Sequence, residues 1–198
     1  MSKKMDPRTR RTRVMMEEAL LGLMEEKDYP KITVQEIARK SGLNRATFYL
    51  HYYDKDDLLE KLMNAALDDL RKSVRVRDIE FRYENDYPHP IFVRLFEKMM
   101  IESRFYRIML INEKIPYFTK HVSEVIEEFV REATIYMLKD NIVFRVPIEI
   151  SISYFTAAYL GTIVWWLQND TPYTATYMAS QLTRMSTTGP YVENPYNA

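Results

Sequence analysis

TVQEIARKSGLNRATFYLHYYDK, residues 33–55, reads as two short helices joined by a tight turn and followed by the start of a third. Thr33 stands three residues before Glu36. That is the spacing of a capping box, in which the hydroxyl accepts from a first-turn N–H while the carboxylate reaches back to the Thr33 N–H. Ile32 and Ile37 flank it as a hydrophobic staple. Gly42 suits the left-handed conformation that ends a helix near Lys40, and Asn44 suits the cap of the next. In that second helix, Asn44 to Tyr52, Phe48 and Tyr52 are four apart and turn toward a core, leaving Arg45, Ala46, Thr47 and Tyr49 outward. The start of a helix carries free N–H groups and a partial positive charge, which suit phosphates and base edges. Arg45 can fork onto a guanine, Ala46 can touch a thymine methyl, and Thr47 and Tyr49 can bond phosphate. Asp54 caps a further helix; Lys55 in its first turn puts a cation where the dipole favours an anion, a conflict that a phosphate would resolve. Two short helices about a glycine turn make the DNA-reading helix-turn-helix.

The longer run ITVQEIARKSGLNRATFYLHYYDKDDLL, Ile32 to Leu59, closely resembles the N-terminal signature of the TetR family of bacterial transcriptional regulators. The resemblance implies that Gln35, Arg45 and Ala46 face bases. It also implies that Thr33, Thr47, Tyr49, His51 and Lys55 touch or support the phosphate backbone. Tyr52 stands where the family usually has Phe, a minor departure.

Length and composition fit that reading. With 198 residues, 46% hydrophobic and 28% charged, the chain suits one or two packed domains with a real core. The absence of cysteine excludes a disulfide framework, a thiol nucleophile and Cys-based metal sites, and fits a reducing cytoplasm. The basic N-terminus lacks the apolar core of a signal before Glu17 and Glu18, so a cytoplasmic protein is expected. Net charge is zero, yet its distribution is uneven: residues 1–55 hold twelve Lys/Arg against eight Asp/Glu, a surplus of +4 that the remainder balances. Lys3, Lys4, Arg8, Arg10, Arg11 and Arg13 crowd the beginning; alone they read as a solvated tail, but ahead of a DNA reader they read equally as an arm along phosphates.

The rest of the chain is helical by pattern, so the fold class is all-α. Asp6-Pro7 starts a first helix to about Lys27, with Val14, Leu20, Leu21, Leu23 and Met24 inward. Asp54 to about Val74 forms a fourth, with Leu58, Leu59, Leu62, Ala66 and Leu70 inward. Residues 75–90 mix charge, aromatics and two prolines without a period and read as a linker. Ile91 to Glu102 and Phe105 to Ile111 follow as helices, Pro116 opens a longer one, Val146-Pro147 starts another to about Gln168, and Thr171-Pro172 caps the last before Gly189-Pro190. The expected division is a head, 1–54, and a helical effector-binding and dimerisation body, 55–198, with 55–74 connecting them.

Ile150 to Asn169 is twenty residues without a charge, long enough to span a bilayer. Its Ser, Thr, Gln and Asn content and the lack of a basic flank argue against that, and no membrane partner is expected. Ser153, Ala157 and Gly161 recur at four residues with Trp165 continuing the row, a face that a second helix can approach closely. Burial within the subunit is the plain reading of this row. The TetR resemblance instead implies a four-helix bundle between protomers, built from this helix and the last one with Met178 and Leu182. The GTIVWWLQNDTPYTATYMASQL ending is also weakly similar to a branch that regulates dihydroxyacetone kinase.

Catalysis finds no support. His51, His89 and His121 are far apart and lack ligand spacing, and pairs such as Glu127-Glu128 and Asp56-Asp57 suit solvated helix faces. No metal and no cofactor are expected. Phe92, Phe96, Met99, Tyr106, Met109, Phe118, Val122, Tyr154, Phe155 and Tyr159 have the spacing of core residues. Fifteen tyrosines, whose hydroxyls need partners when buried, suggest instead that these side chains converge on a pocket under the fourth helix for an aromatic or amphipathic molecule. The sequence thus predicts a homodimeric repressor that reads a palindromic double-stranded operator and releases it on binding a small effector. The alternative is a nucleoid-binding or scaffold protein that answers to a protein partner, with a closed core and no pocket.

Overall fold

The structure is a computed structural model, and it describes residues 6–75, 88–112, 115–139 and 143–189. These residues form nine α-helices and no strand. They are α1 (Pro7–Met24), α2 (Val34–Lys40), α3 (Arg45–Tyr49), α4 (Lys55–Val74), α5 (Pro90–Ile101), α6 (Ser103–Arg107), α7 (Pro116–Lys139), α8 (Ile148–Gln168) and α9 (Ala175–Thr187). A 3₁₀ turn, Tyr29–Lys31, precedes α2, and α6 runs on into one π-helical turn, Ile108–Asn112. Most of the linker expected over 75–90 lies outside the described residues.

The local signals act as the sequence predicts. Thr33 Oγ1 accepts from the Glu36 N–H and Glu36 accepts from the Thr33 N–H at 3.0 Å, closing the capping box. Gly42 takes φ +71, and Asn44 Oδ1 accepts from Thr47 N at 2.7 Å. Asp54 Oδ1 accepts from Asp57 N at 2.8 Å and starts α4.

Helices α1, α2 and α3 close over Met16, Leu20, Ile37, Phe48 and Tyr52, all buried. Helix α4 packs on α1, and then on α5 and α7, so this helix joins the head to the rest. Beyond it, α5 packs chiefly on α9 and α7 on α8. Arg94 of α5 ties the end of α4 down, donating from Nε to Ser73 O at 2.6 Å and from Nη2 to Arg75 O at 3.2 Å. Those are carbonyls that a helix terminus leaves without intrahelical partners. In the second core, Phe96 meets Trp166 edge-on at 5.1 Å, and the Trp166 indole N–H donates to Tyr173 O at 2.9 Å.

Several details depart from expectation. Val14 is exposed rather than inward, and Leu62 and Ala66 are only half-buried, because the α4 stripe runs through Met63 and Leu67 instead. Thr174, not Thr171, caps the last helix by accepting from Tyr177 N; Asp170 and Thr171 form a left-handed turn with φ of 58° and 50°.

Candidate nucleic-acid interface and effector cavity

The outward surface of α2 and α3 carries Gln35, Arg45, Ala46 and Tyr49, all exposed, while Phe48 beneath them is fully buried. Arg45 lies along Tyr49, its Nη2 donating to the phenol oxygen at 3.3 Å. Thr33 is exposed but engaged in the capping box, and Thr47 is half-buried with its hydroxyl donating to Asn44 Oδ1 at 3.0 Å. Lys27 and Thr33 on the Glu36 carboxylate hold it down at about 2, so the cap stays charged in any physiological medium. Partial burial, with Arg13 alongside, lowers the His51 pKa and so favours the neutral ring, which still offers an N–H donor.

Lys55 is turned inward. Its Nζ donates to the carbonyls of Tyr29, Pro30 and Ile32 at 3.1, 3.0 and 2.9 Å and lies 4.6 Å from the centre of the Tyr29 ring. Of the two roles implied for it, touching or supporting the phosphate backbone, this geometry suits support. It pins the loop before α2 to the start of α4. Neither Leu50 nor Tyr53 was singled out in the sequence, yet both stand more than four-fifths exposed beside α3, and no periodic signal marks them.

The variants Arg45→Ala and Lys55→Ala should therefore fail differently on operator DNA. Arg45→Ala is expected to cost about 1–3 kcal/mol on the preferred duplex and to relax base choice. Lys55→Ala should weaken all duplexes alike, leave the salt slope unchanged and lower the urea midpoint, since three carbonyls lose their donor. A fall of about one in the salt slope for Lys55→Ala would make it a phosphate contact instead.

A second feature is a cavity of about 510 Å³ lined from α5, α7, residues 143–146, α8 and the end of α9. Of the ten predicted pocket residues, Phe92, Phe155 and Tyr159 line it. Phe96, Met99, Tyr106, Met109, Phe118 and Val122 do not: they are fully buried, packed against neighbours such as Trp166 and Phe105. Tyr154 points outward at 66% exposure and does not line the cavity. No described residue of α4 lines the cavity, so it is not beneath that helix. The Tyr106 hydroxyl is buried without a hydrogen-bond partner among the described residues, and burial raises its pKa.

The four-residue row on α8 is exposed: Ser153, Ala157 and Gly161 face outward and Trp165 is 46% exposed. Tyr173 stacks near Trp165 at 6.4 Å and Tyr177 continues the patch. Met178 and Leu182, expected on the same surface, are instead buried in the protomer where α9 packs on α5. Their α9 turn presents Tyr177 outward instead.

One residue missed in the sequence bridges the two halves. Arg104 of α6 grips Glu25 with two bonds of 2.9 and 2.8 Å and Glu18 with one of 2.7 Å, both carboxylates belonging to the α1 region. The guanidinium holds Glu25 below the usual carboxylate range. No local signal could have found it, since its partners lie 79 and 86 residues upstream.

A basic-ended head with an exposed α3 face, joined through one long helix to a helical body, defines a helix-turn-helix DNA-binding regulator. The description "Bacterial regulatory proteins, tetR family" matches residues 18–62, and "Transcriptional regulator C-terminal region" matches residues 86–188. The chain belongs to the TetR family of transcriptional regulators. The HTH-type transcriptional regulator YxbF of Bacillus subtilis (strain 168) is 43% identical over 65 residues, a stretch covering 32% of this chain and 17% of that relative. The fold is similar to that of the fatty acid degradation regulator FadR from Bacillus halodurans, with TM-score 0.67, 16% identity, and 94% and 98% of the two chains covered. It is also similar to FadR from Bacillus subtilis in complex with stearoyl-CoA, with TM-score 0.62, 14% identity, and 90% and 99% covered.

Proposed function

We propose that the protein is a homodimeric repressor that holds a palindromic operator with two heads and releases it when a small, largely apolar molecule enters the cavity. Residues 1–54 act as the head and 55–198 as the effector-binding and dimerisation body, with 55–74 the connecting helix. Gln35, Arg45 and Ala46 read bases; Thr33, Thr47, Tyr49, His51 and Lys55 touch or position the backbone contacts. The observation that carries this reading is the cavity of about 510 Å³, within the range of small-molecule sites. Its wall residue Phe129 also lines the cleft beside Val74 and Arg75 at the end of α4. A ligand that moves α7 at Phe129 therefore acts on the helix that carries the head. The stearoyl-CoA held by the Bacillus subtilis FadR supports an apolar effector. The open cavity counts against the scaffold alternative, which needs a closed core.

Release requires the effector to bind the DNA-free form more tightly, and by linkage the operator must weaken the effector by the same factor. Selection from a random duplex pool should recover a palindrome with half-sites about one helical turn apart, about 34–36 Å, bound with a steep salt dependence. Recovery of no sequence preference would overturn the repressor reading. Arg104→Ala should keep operator affinity and lose part of the ligand-induced release, since the α6–α1 contact is a second path, beside α4, for a coupling of about 1–3 kcal/mol. Undiminished release in that variant would route the signal through α4 alone.

A further inference from the structure

The walls of the cavity are largely apolar, and the hydroxyls of Tyr159, Ser186, Thr134 and Thr187 among them are already satisfied. Tyr159 and Ser186 bond each other at 2.8 Å, and Ser186 donates onward to Leu182 O. Thr134 donates to Val130 O at 2.9 Å and Thr187 to Thr183 O at 3.0 Å, each back onto its own helix. The rings of Phe92, Phe129 and Tyr159 pack on one another at 5.0 to 6.3 Å, closing the inner end with aromatic faces. None of the residues lining the cavity is acidic. The one permanent cation in the lining is Arg145, in the exposed segment at the mouth, and it makes no ion pair with any described residue. The cavity thus has a largely apolar interior, most of whose hydroxyls bond within the protein, and a single permanent cation at its rim.

We infer that the ligand is an amphipathic monocarboxylate, a free acid with an apolar body, seated so that its carboxylate meets Arg145 while its chain or ring lies among Phe92, Phe129 and Tyr159. This inference rests on the cavity being the effector site. A guanidinium pairs a carboxylate with two parallel hydrogen bonds, geometry that an alcohol or ester cannot satisfy. The rim position keeps both charges partly hydrated, so the pair selects the head group without a large desolvation cost. A coenzyme A thioester lacks the carboxylate and must place a large polyanionic head outside, where only one cation of the lining stands.

The test is calorimetric titration of the full chain with decanoate, decanol, methyl decanoate and decanoyl-CoA, repeated on Arg145→Gln and Arg145→Lys. Decanoate should bind about tenfold more tightly than the alcohol or ester, a preference of about 1.4 kcal/mol. Arg145→Gln should abolish the preference without changing alcohol affinity, and Arg145→Lys should restore part of it. Equal affinity for acid and alcohol, or an unchanged preference in Arg145→Gln, would overturn the carboxylate assignment while leaving the apolar effector site intact. Tighter binding of the thioester than of the acid would overturn it in favour of an acyl-CoA. Failure of all four to bind would count against both the inference and the cavity as effector site for apolar molecules.

Discussion

Replacing Gly161 by Glu should convert the proposed dimer into folded monomers that no longer hold the operator. A Cβ built at Gly161 meets no atom within 4 Å in the protomer, so the substitution has room and folding of the single chain is untouched. Only the assembled state suffers. Ser153, Ala157 and Gly161 are small and exposed, and Trp165, Tyr173 and Tyr177 flank them with apolar surface that a second helix pair can cover. In a two-fold interface every residue appears twice, so one substitution buries two glutamates without partners. Each costs several kcal/mol after relaxation, by the order of magnitude found for buried ions, and close helix approach is lost as well. Sedimentation velocity should show a monomer with native circular dichroism, and operator affinity should collapse because one head alone holds a half-site. A dimer of normal affinity would place the interface elsewhere on the molecule.

The second large effect is expected in the head. Phe48 is fully buried, 5.7 Å from the Tyr52 ring, and it is the one buried residue of the five-residue helix α3. Phe48→Ala should destabilise the head by about 3–5 kcal/mol, the cost of lost transfer energy and an unfilled cavity. A helix so short has little stability of its own, so its order depends on that anchor. Hydrogen exchange should rise across residues 34–52 while α7, α8 and α9 keep their protection, and specific DNA binding should vanish while the body still binds its ligand. Wild-type protection over α3 would show that Tyr52 and Leu58 suffice to hold it.

The contrast between these two sites marks how far a single sequence reaches. The head was legible because its determinants are local: Thr33 with Glu36, Asn44 with Thr47 and Asp54 with Asp57 all interact across three residues, and Gly42 needs no partner to take a positive φ. Phe48 and Tyr52, four apart, could turn to only one face of so short a helix. Such contacts survive any arrangement of the rest of the chain.

Tertiary structure decided whatever depended on which face of a helix meets which neighbour. Tyr154 and Tyr159 are the same residue on the same helix, yet one is exposed and the other lines the cavity, because α7 packs on only one side of α8. Six predicted pocket residues became core, since aromatic spacing is identical for a packed ring and a pocket wall. Met178 and Leu182 went inward when α9 chose α5 as its partner. Lys55 found its acceptors 23 to 26 residues upstream, and Arg104 found its carboxylates 79 and 86 residues upstream. A local pattern tells a side chain that it has a face to bury or a charge to place. The partner that satisfies it is chosen by packing between segments distant in the chain, where burial and close approach outweigh any preference written at short range.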